Sequence, residues 1–158
     1  MVSILFVDDE PHILRALERG LRNEGYELSF SSDPLDALAR LAERTFDVVV
    51  TDFMMPHLSG VEFLTRVREL RPTALRMLLT GQADRQATIR AINEGAICHY
   101  LEKPWIDAEL KAALRQVAGS ASLQRAAQAA APDLAGALRR FGKPQPRGAD
   151  SGKVPAPG

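Results

Sequence analysis

The chain has a single cysteine in 158 residues, so Cys98 has no partner for an internal disulfide. Its expected setting is a reducing compartment, where it would sit as a small buried hydrophobe. No apolar run approaches the roughly 18 residues of a membrane span. No basic segment precedes the short N-terminal apolar stretch, so a signal peptide is not expected. Net charge is also lacking, since 20 Lys and Arg balance 20 Asp and Glu. The balance is uneven along the chain, with 14 basic against 18 acidic residues over 1–118 (−4) and 6 against 2 over 119–158 (+4). Neither value calls for nucleic acid, although the tail would touch an acidic surface weakly. Aromatics are scarce at 6% and no internal repeat is visible, yet 46% hydrophobic and 25% charged residues is ordinary globular composition. The expectation is a soluble cytoplasmic protein with no membrane attachment and no direct nucleic-acid binding.

What the chain does have is organised around residues 46–60, FDVVVTDFMMPHLSG. Val48, Val49 and Val50 form a β-branched run of the kind found in a strand buried on both faces of a parallel sheet. Asp52 follows directly, and a loop through Met55 and Pro56 closes on Gly60. Four more short apolar runs, at 4–7, 26–30, 75–79 and 97–101, alternate with helical patterns. Ile13, Leu14, Leu17 and Leu21 make one helical stripe, with Pro11 in its first turn. Asp33 is placed to cap the next helix, with Leu35, Leu38 and Leu41 inward. Val61, Leu64, Val67 and Leu70 make the third stripe, ended by Pro72. Asp84 is placed to cap a fourth helix that turns Ala87, Ala91 and Ile92 inward and stops at Gly95. A fifth starts near Asp107 with Leu110, Leu114 and Val117 on one face. Strict β-α alternation predicts an α/β fold, a doubly wound five-stranded parallel sheet with helices on both faces.

The expected domain covers residues 1–118. Residues 119–141 are alanine-rich and read as a helical extension, with a weak stripe of Leu134, Leu138 and Phe141. Residues 142–158 are rich in proline and glycine and read as a disordered tail. About 40 residues of this composition cannot bury a core of their own.

Every strand except the second ends in a polar residue: Asp8-Asp9-Glu10, Asp52, Thr80 and Lys103. In a right-handed parallel sheet these ends share one edge. Carboxylates gathered there repel one another unless a cation joins them. Mg²⁺ suits the set, because it takes one or two carboxylates and keeps positions for water and a phosphate oxygen. Lys103 adds a second positive charge, and Thr80 a hydroxyl able to donate to an oxyanion. A carboxylate nucleophile beside a metal ion and a lysine suits phosphoryl transfer, with Asp52 forming an acyl phosphate.

The segments VDDE (7–10), TDFMMPHLSG (51–60), LLTG (78–81) and YLEKPW (100–105) resemble, in this order and spacing, the receiver domain of two-component response regulators. The resemblance covers about residues 1–118 and implies the flavodoxin-like, receiver-type topology. It implies Asp52 as phosphoacceptor. It also implies Asp9, Asp52 and the backbone carbonyl of Met54 as Mg²⁺ ligands, with Asp8 holding a metal-bound water. Thr80 and Tyr100 match the switch pair, Lys103 the phosphate-contacting lysine, and Pro104 a proline that is usually cis in the family. Met54, Met55 and Gln82 fall where the family tunes acyl-phosphate hydrolysis. The implied partners are a histidine kinase or phosphotransfer protein as donor, and a downstream protein on the face made by the fourth helix, fifth strand and fifth helix. A homodimer formed on phosphorylation is a further state that the family admits. LLTGQAD (78–84) and AINEGAICHYLEKPW (91–105) are also similar to receivers joined to HD-GYP cyclic-di-GMP phosphodiesterase outputs, and to some transcriptional regulators.

The expected protein is therefore a signalling receiver and not an enzyme, acting through phosphorylation-dependent protein contacts. One alternative is a truncated regulator whose HD-GYP or transcriptional output is missing. Another is a haloacid-dehalogenase-type phosphatase, which needs its nucleophile on the first strand in a D-x-D pattern. Here the first strand ends Asp8-Asp9-Glu10, and the lone aspartate is on the third. A flavin-binding protein of similar topology would need a hydroxyl-rich phosphate loop where these acids would repel the phosphate. His12, His57 and His99 lack metal-ligand spacing and are expected at the surface. Trp105 is expected to cover the edge of the core.

Overall fold

Each apolar run becomes a strand: β1 (Ser3–Val7), β2 (Glu27–Ser31), β3 (Val48–Asp52), β4 (Leu75–Thr80) and β5 (His99–Glu102). Between and after them run helices α1 (Pro11–Leu21), α2 (Pro34–Glu43), α3 (Gly60–Leu70), α4 (Arg85–Asn93) and α5 (Asp107–Ala130). This computed structural model describes residues 1–94 and 96–130. The helix stop expected at Gly95, the stripe of Leu134, Leu138 and Phe141, and the tail 142–158 lie outside the described residues. All strands are parallel in the order β2-β1-β3-β4-β5, the doubly wound arrangement that the β-α alternation implies. The chain divides into two units, Met1–Ser122 and Leu123–Gly158. The described residues of the second, 123–130, are helical.

Alternation along the central strands feeds two hydrophobic layers. Leu5, Val7, Val49 and Leu78 point to one face and pack with Ala37 and Leu41 of α2, Phe63, Leu64 and Val67 of α3, and Ala91 of α4. Ile4, Phe6, Val48, Val50, Met77 and Leu79 point to the other, against Leu17 and Leu21 of α1 and Leu110, Leu114 and Val117 of α5. Fully burying a side chain such as Leu64 or Phe63 contributes about 1.5–3 kcal/mol. Trp105 packs at the edge of the second layer.

Several residues depart from the expected faces. Leu35 is 51% exposed, because the inward line of α2 is Pro34, Ala37 and Leu41. Leu70 and Ile92 also face outward. The inward residues of α4 are Thr88 and Ala91, with Ala87 half-buried beside them. Asp33 caps α2 as expected, accepting from the Leu35 N–H at 3.0 Å. Asp84 occupies the cap position of α4 without a side-chain bond, its backbone held in a 3₁₀ turn over Gln82–Asp84. Cys98 is exposed and not buried, because β5 starts one residue later and leaves it in the preceding bend. Its thiol donates to the Arg76 carbonyl at 3.1 Å. His12 and His57 are at the surface. His99 is half-buried at the start of β5, where burial pushes its pKa below the ordinary value.

The loop after β3 is held tightly against the strand it leaves. Ser59 caps the start of α3, accepting from the Glu62 N–H at 3.1 Å, and its hydroxyl donates to the Glu62 carboxylate at 3.0 Å. The Gly60 N–H donates to the Phe53 carbonyl at 2.8 Å. A Cβ on Gly60 would fall onto the Asp52 carbonyl oxygen and within 3.0 Å of the Phe53 Cα. Gly60→Ala must push the backbone of Asp52 or α3 aside. Such overpacking costs about 1–3 kcal/mol, so the urea midpoint should drop by a matching amount. An unchanged midpoint would show that this approach is looser than described.

Candidate functional site

Register decides which strand ends meet. Val7 of β1 pairs with Thr51 of β3, so Asp8 follows its strand level with Asp52. Asp52 pairs with Leu79 of β4, and Thr80 with Glu102 of β5. The Lys103 N–H donates to the Thr80 carbonyl at 2.8 Å, which carries β5 one residue past the strand edge. The Lys103–Pro104 peptide is cis.

Asp8, Asp9, Glu10 and Asp52 offer carboxylate oxygens that all lie within 4.8 Å of one another. Lys103 Nζ donates to Asp52 Oδ1 at 2.7 Å and stands 3.5 Å from Asp8 Oδ2. Asp8 is 0% exposed. Its Oδ1 accepts from the Glu10 N–H at 2.9 Å, while its Oδ2 has no hydrogen-bond partner. The lysine at 3.5 Å is therefore an ion pair and not a formed hydrogen bond. Burial pushes the Asp8 carboxyl up to about 6, with the neighbouring Asp52 and Asp9 charges adding to it and the Glu10 N–H and Lys103 opposing it. Burial pulls Lys103 down, but its bond to Asp52 and the charges of Asp8 and Asp52 outweigh that and leave it raised.

These observations test the fit of a metal. A buried carboxylate oxygen with no donor, in an all-oxygen cluster where four acids face one lysine, is the donor set of a hard divalent cation such as Mg²⁺. Glu10 joins the cluster, although the sequence reading gave it no ligand role. Its signal was the uninterrupted Asp8-Asp9-Glu10 run. Met54 lies in the loop after β3 with its side chain exposed, and Met55 is buried with its sulfur 3.6 Å from the Thr51 hydroxyl.

Thr80 and Tyr100 are not among the described hydrogen-bond partners of the carboxylates. Thr80 is buried, and its hydroxyl bonds run to the Gly81 carbonyl at 3.3 Å and the Thr88 hydroxyl at 3.0 Å. Tyr100 is 43% exposed. It lines a cavity of about 250 Å³ with Thr80, Arg85, Thr88, Ile89 and Glu102. Thr88 was missed in the sequence, although a hydroxyl-bearing residue set between Ala87 and Ile89 was a visible signal.

Comparison with known proteins agrees with this geometry. Residues 4–115 match the family described as response regulator receiver domain. The hydrogenase transcriptional regulatory protein HoxA of Bradyrhizobium diazoefficiens is 36% identical over 132 residues, 84% of this chain and 27% of its own length. The transcriptional regulatory protein KdpE of Mycobacterium tuberculosis is 36% identical over 129 residues, 79% of this chain and 56% of its own. The chain thus spans between a quarter and somewhat over half of these regulators. Among solved structures, the signal receiver domain of an HD domain-containing protein from Pseudomonas fluorescens Pf-5 is 40% identical. Its TM-score is 0.73, covering 78% of this chain and 91% of that one.

A cation that binds the folded cluster and not the unfolded chain must raise stability, by about 2.7 kcal/mol at a hundred times its Kd. Thermal melts should therefore shift upward with Mg²⁺. In Asp8→Asn the shift should shrink, while the metal-free melt should hold or rise because a buried charge is gone. A full Mg²⁺ shift in Asp8→Asn would remove Asp8 from the site.

Proposed function

This chain belongs to the response regulator receiver domain family, and from that premise we propose that it takes a phosphoryl group from a histidine kinase onto Asp52 and alters a protein-binding face in response. The observation that carries the reading is the 2.7 Å contact of Lys103 Nζ with Asp52 Oδ1, inside a cluster whose carboxylate oxygens lie within 4.8 Å. A Mg²⁺ held by Asp9, Asp52 and the Met54 carbonyl, with Asp8 through a water, would neutralise charge on the phosphoryl oxygens.

The remaining chemistry belongs to the chain. An oxygen of Asp52 attacks phosphorus as the bond to the donor's imidazole nitrogen breaks, and the electron pair leaves with the imidazole. No base is needed for a carboxylate nucleophile. Lys103 already stands on Asp52 and exchanges that contact for one with the new anion. Thr80 turns its hydroxyl proton toward a phosphoryl oxygen, and Tyr100 moves into the cavity beside Thr80. The protein is the acceptor of the group and not a turnover catalyst. The face that changes carries Ile89 and Ile92 of α4 and Tyr100 of β5, all exposed. It has the apolar content that protein contacts use.

For the output, we read this receiver as serving a cyclic-di-GMP phosphodiesterase of the HD-GYP type. LLTGQAD and AINEGAICHYLEKPW support this, as does the 40% identity to the receiver of an HD domain-containing protein.

Incubated with a small phosphodonor and Mg²⁺, the wild-type protein should take one label per chain and Asp52→Asn none. Label on the Asn variant would move the acceptor elsewhere. Deleting the gene should change the cellular cyclic-di-GMP level, and an unaltered level would overturn the output assignment.

A further inference from the structure

Helix α4 turns its isoleucines outward and a threonine inward. Ile89 and Ile92 are exposed, while Thr88 is 2% exposed. Hydrophobic packing alone favours the opposite, so the buried hydroxyl calls for a polar reason. It has two contacts, donating to the Asp84 carbonyl at 3.0 Å and lying 3.0 Å from the Thr80 hydroxyl.

Proton counting gives the pair a direction. A threonine hydroxyl has one proton and two lone pairs. With the Thr88 proton on Asp84, the bond between the two threonines is donated by Thr80 and accepted by Thr88. The other acceptor near Thr80 is the Gly81 carbonyl, at the longer distance of 3.3 Å. Thr80 must donate that same proton if it is to meet an anion on Asp52.

We propose that Thr88 is a positioning residue for this switch: its hydroxyl accepts the proton that Thr80 must give to a phosphoryl oxygen, and so restrains formation of the phosphorylated arrangement. The inference rests on the phosphoacceptor reading of Asp52. The change is an exchange of hydrogen bonds with no covalent step. The Thr80-to-Thr88 bond is given up, one from Thr80 to the phosphoryl oxygen is made, and Thr88 goes on donating to Asp84. Space for the movement exists, since Thr80 and Thr88 both line the 250 Å³ cavity beside Tyr100. The restraint also ties α4 to β4 at the point where the phosphoryl signal must leave the site.

Binding of beryllofluoride, a phosphoryl analogue, in saturating Mg²⁺ by calorimetry tests this. In Thr88→Val the acceptor is replaced by a methyl of similar volume, and beryllofluoride should bind more tightly by roughly two- to tenfold, the range of one neutral hydrogen bond. Thr88→Ala removes the same acceptor and should act in the same direction, which covers poor folding of the valine variant. Thr88→Ser keeps the hydroxyl and should restore wild-type affinity. In a Thr80→Ala background, adding Thr88→Val should change nothing further. Unchanged or weaker binding in both Thr88→Val and Thr88→Ala would overturn the inference, as would an effect that persists without the Thr80 hydroxyl. Failure of the wild-type protein itself to bind beryllofluoride would overturn the phosphoacceptor reading and the inference with it.

Discussion

Like charge crowded at one edge of the sheet is the constraint that the rest of this structure answers. Four carboxylates lie within a few ångströms of one another, and one of them, Asp8, has no access to water. Such a group is expensive to ionise unless its neighbours compensate. The chain supplies one backbone N–H, from Glu10, and one ammonium, from Lys103. That leaves a carboxylate oxygen without a donor, and with it an appetite for positive charge built into the fold.

The compensation arrives through topology. Asp8 and Asp52 are 44 residues apart in sequence, yet β1 and β3 are neighbours in the sheet and end level. Lys103 comes from the other side, carried one residue past β5 by a bond to Thr80. The valine-rich strand β3 is central, and burial on both faces fixes its register, because a one-residue slip would exchange its two layers of side chains. The hydrophobic core therefore sets the position of the polar site at its edge.

Much of this was legible in the sequence. The β-branched run at Val48–Val50, the alternation of short apolar runs with helical stripes, and a polar residue at four strand ends led to the sheet and to the carboxylate edge. Local rotation was harder to read. Leu35 was assigned inward because a leucine in an amphipathic stretch usually is, but the buried line of α2 passes through Pro34, Ala37 and Leu41. Cys98 was assigned inward because small thiols favour burial, but β5 begins only at His99 and leaves it in the preceding bend. In α4 Ala91 is buried and Ala87 half-buried as their spacing suggested, but Ile92 was assigned inward where Thr88 is instead. What sequence patterns miss here is a face chosen by a hydroxyl pair over hydrocarbon.

That choice sets the strength with which α4 is moored. Phe63, Leu64 and Val67 anchor α3 with about 1.5–3 kcal/mol of burial for each large side chain, whereas α4 sinks only Thr88 and Ala91 fully. A helix with so little buried apolar surface belongs at the low end of local stability. The sheet and α3 then act as the fixed bed of the molecule. The element that carries the exposed apolar face is thus also the one whose hold on the sheet depends in part on a contact between two threonine hydroxyls.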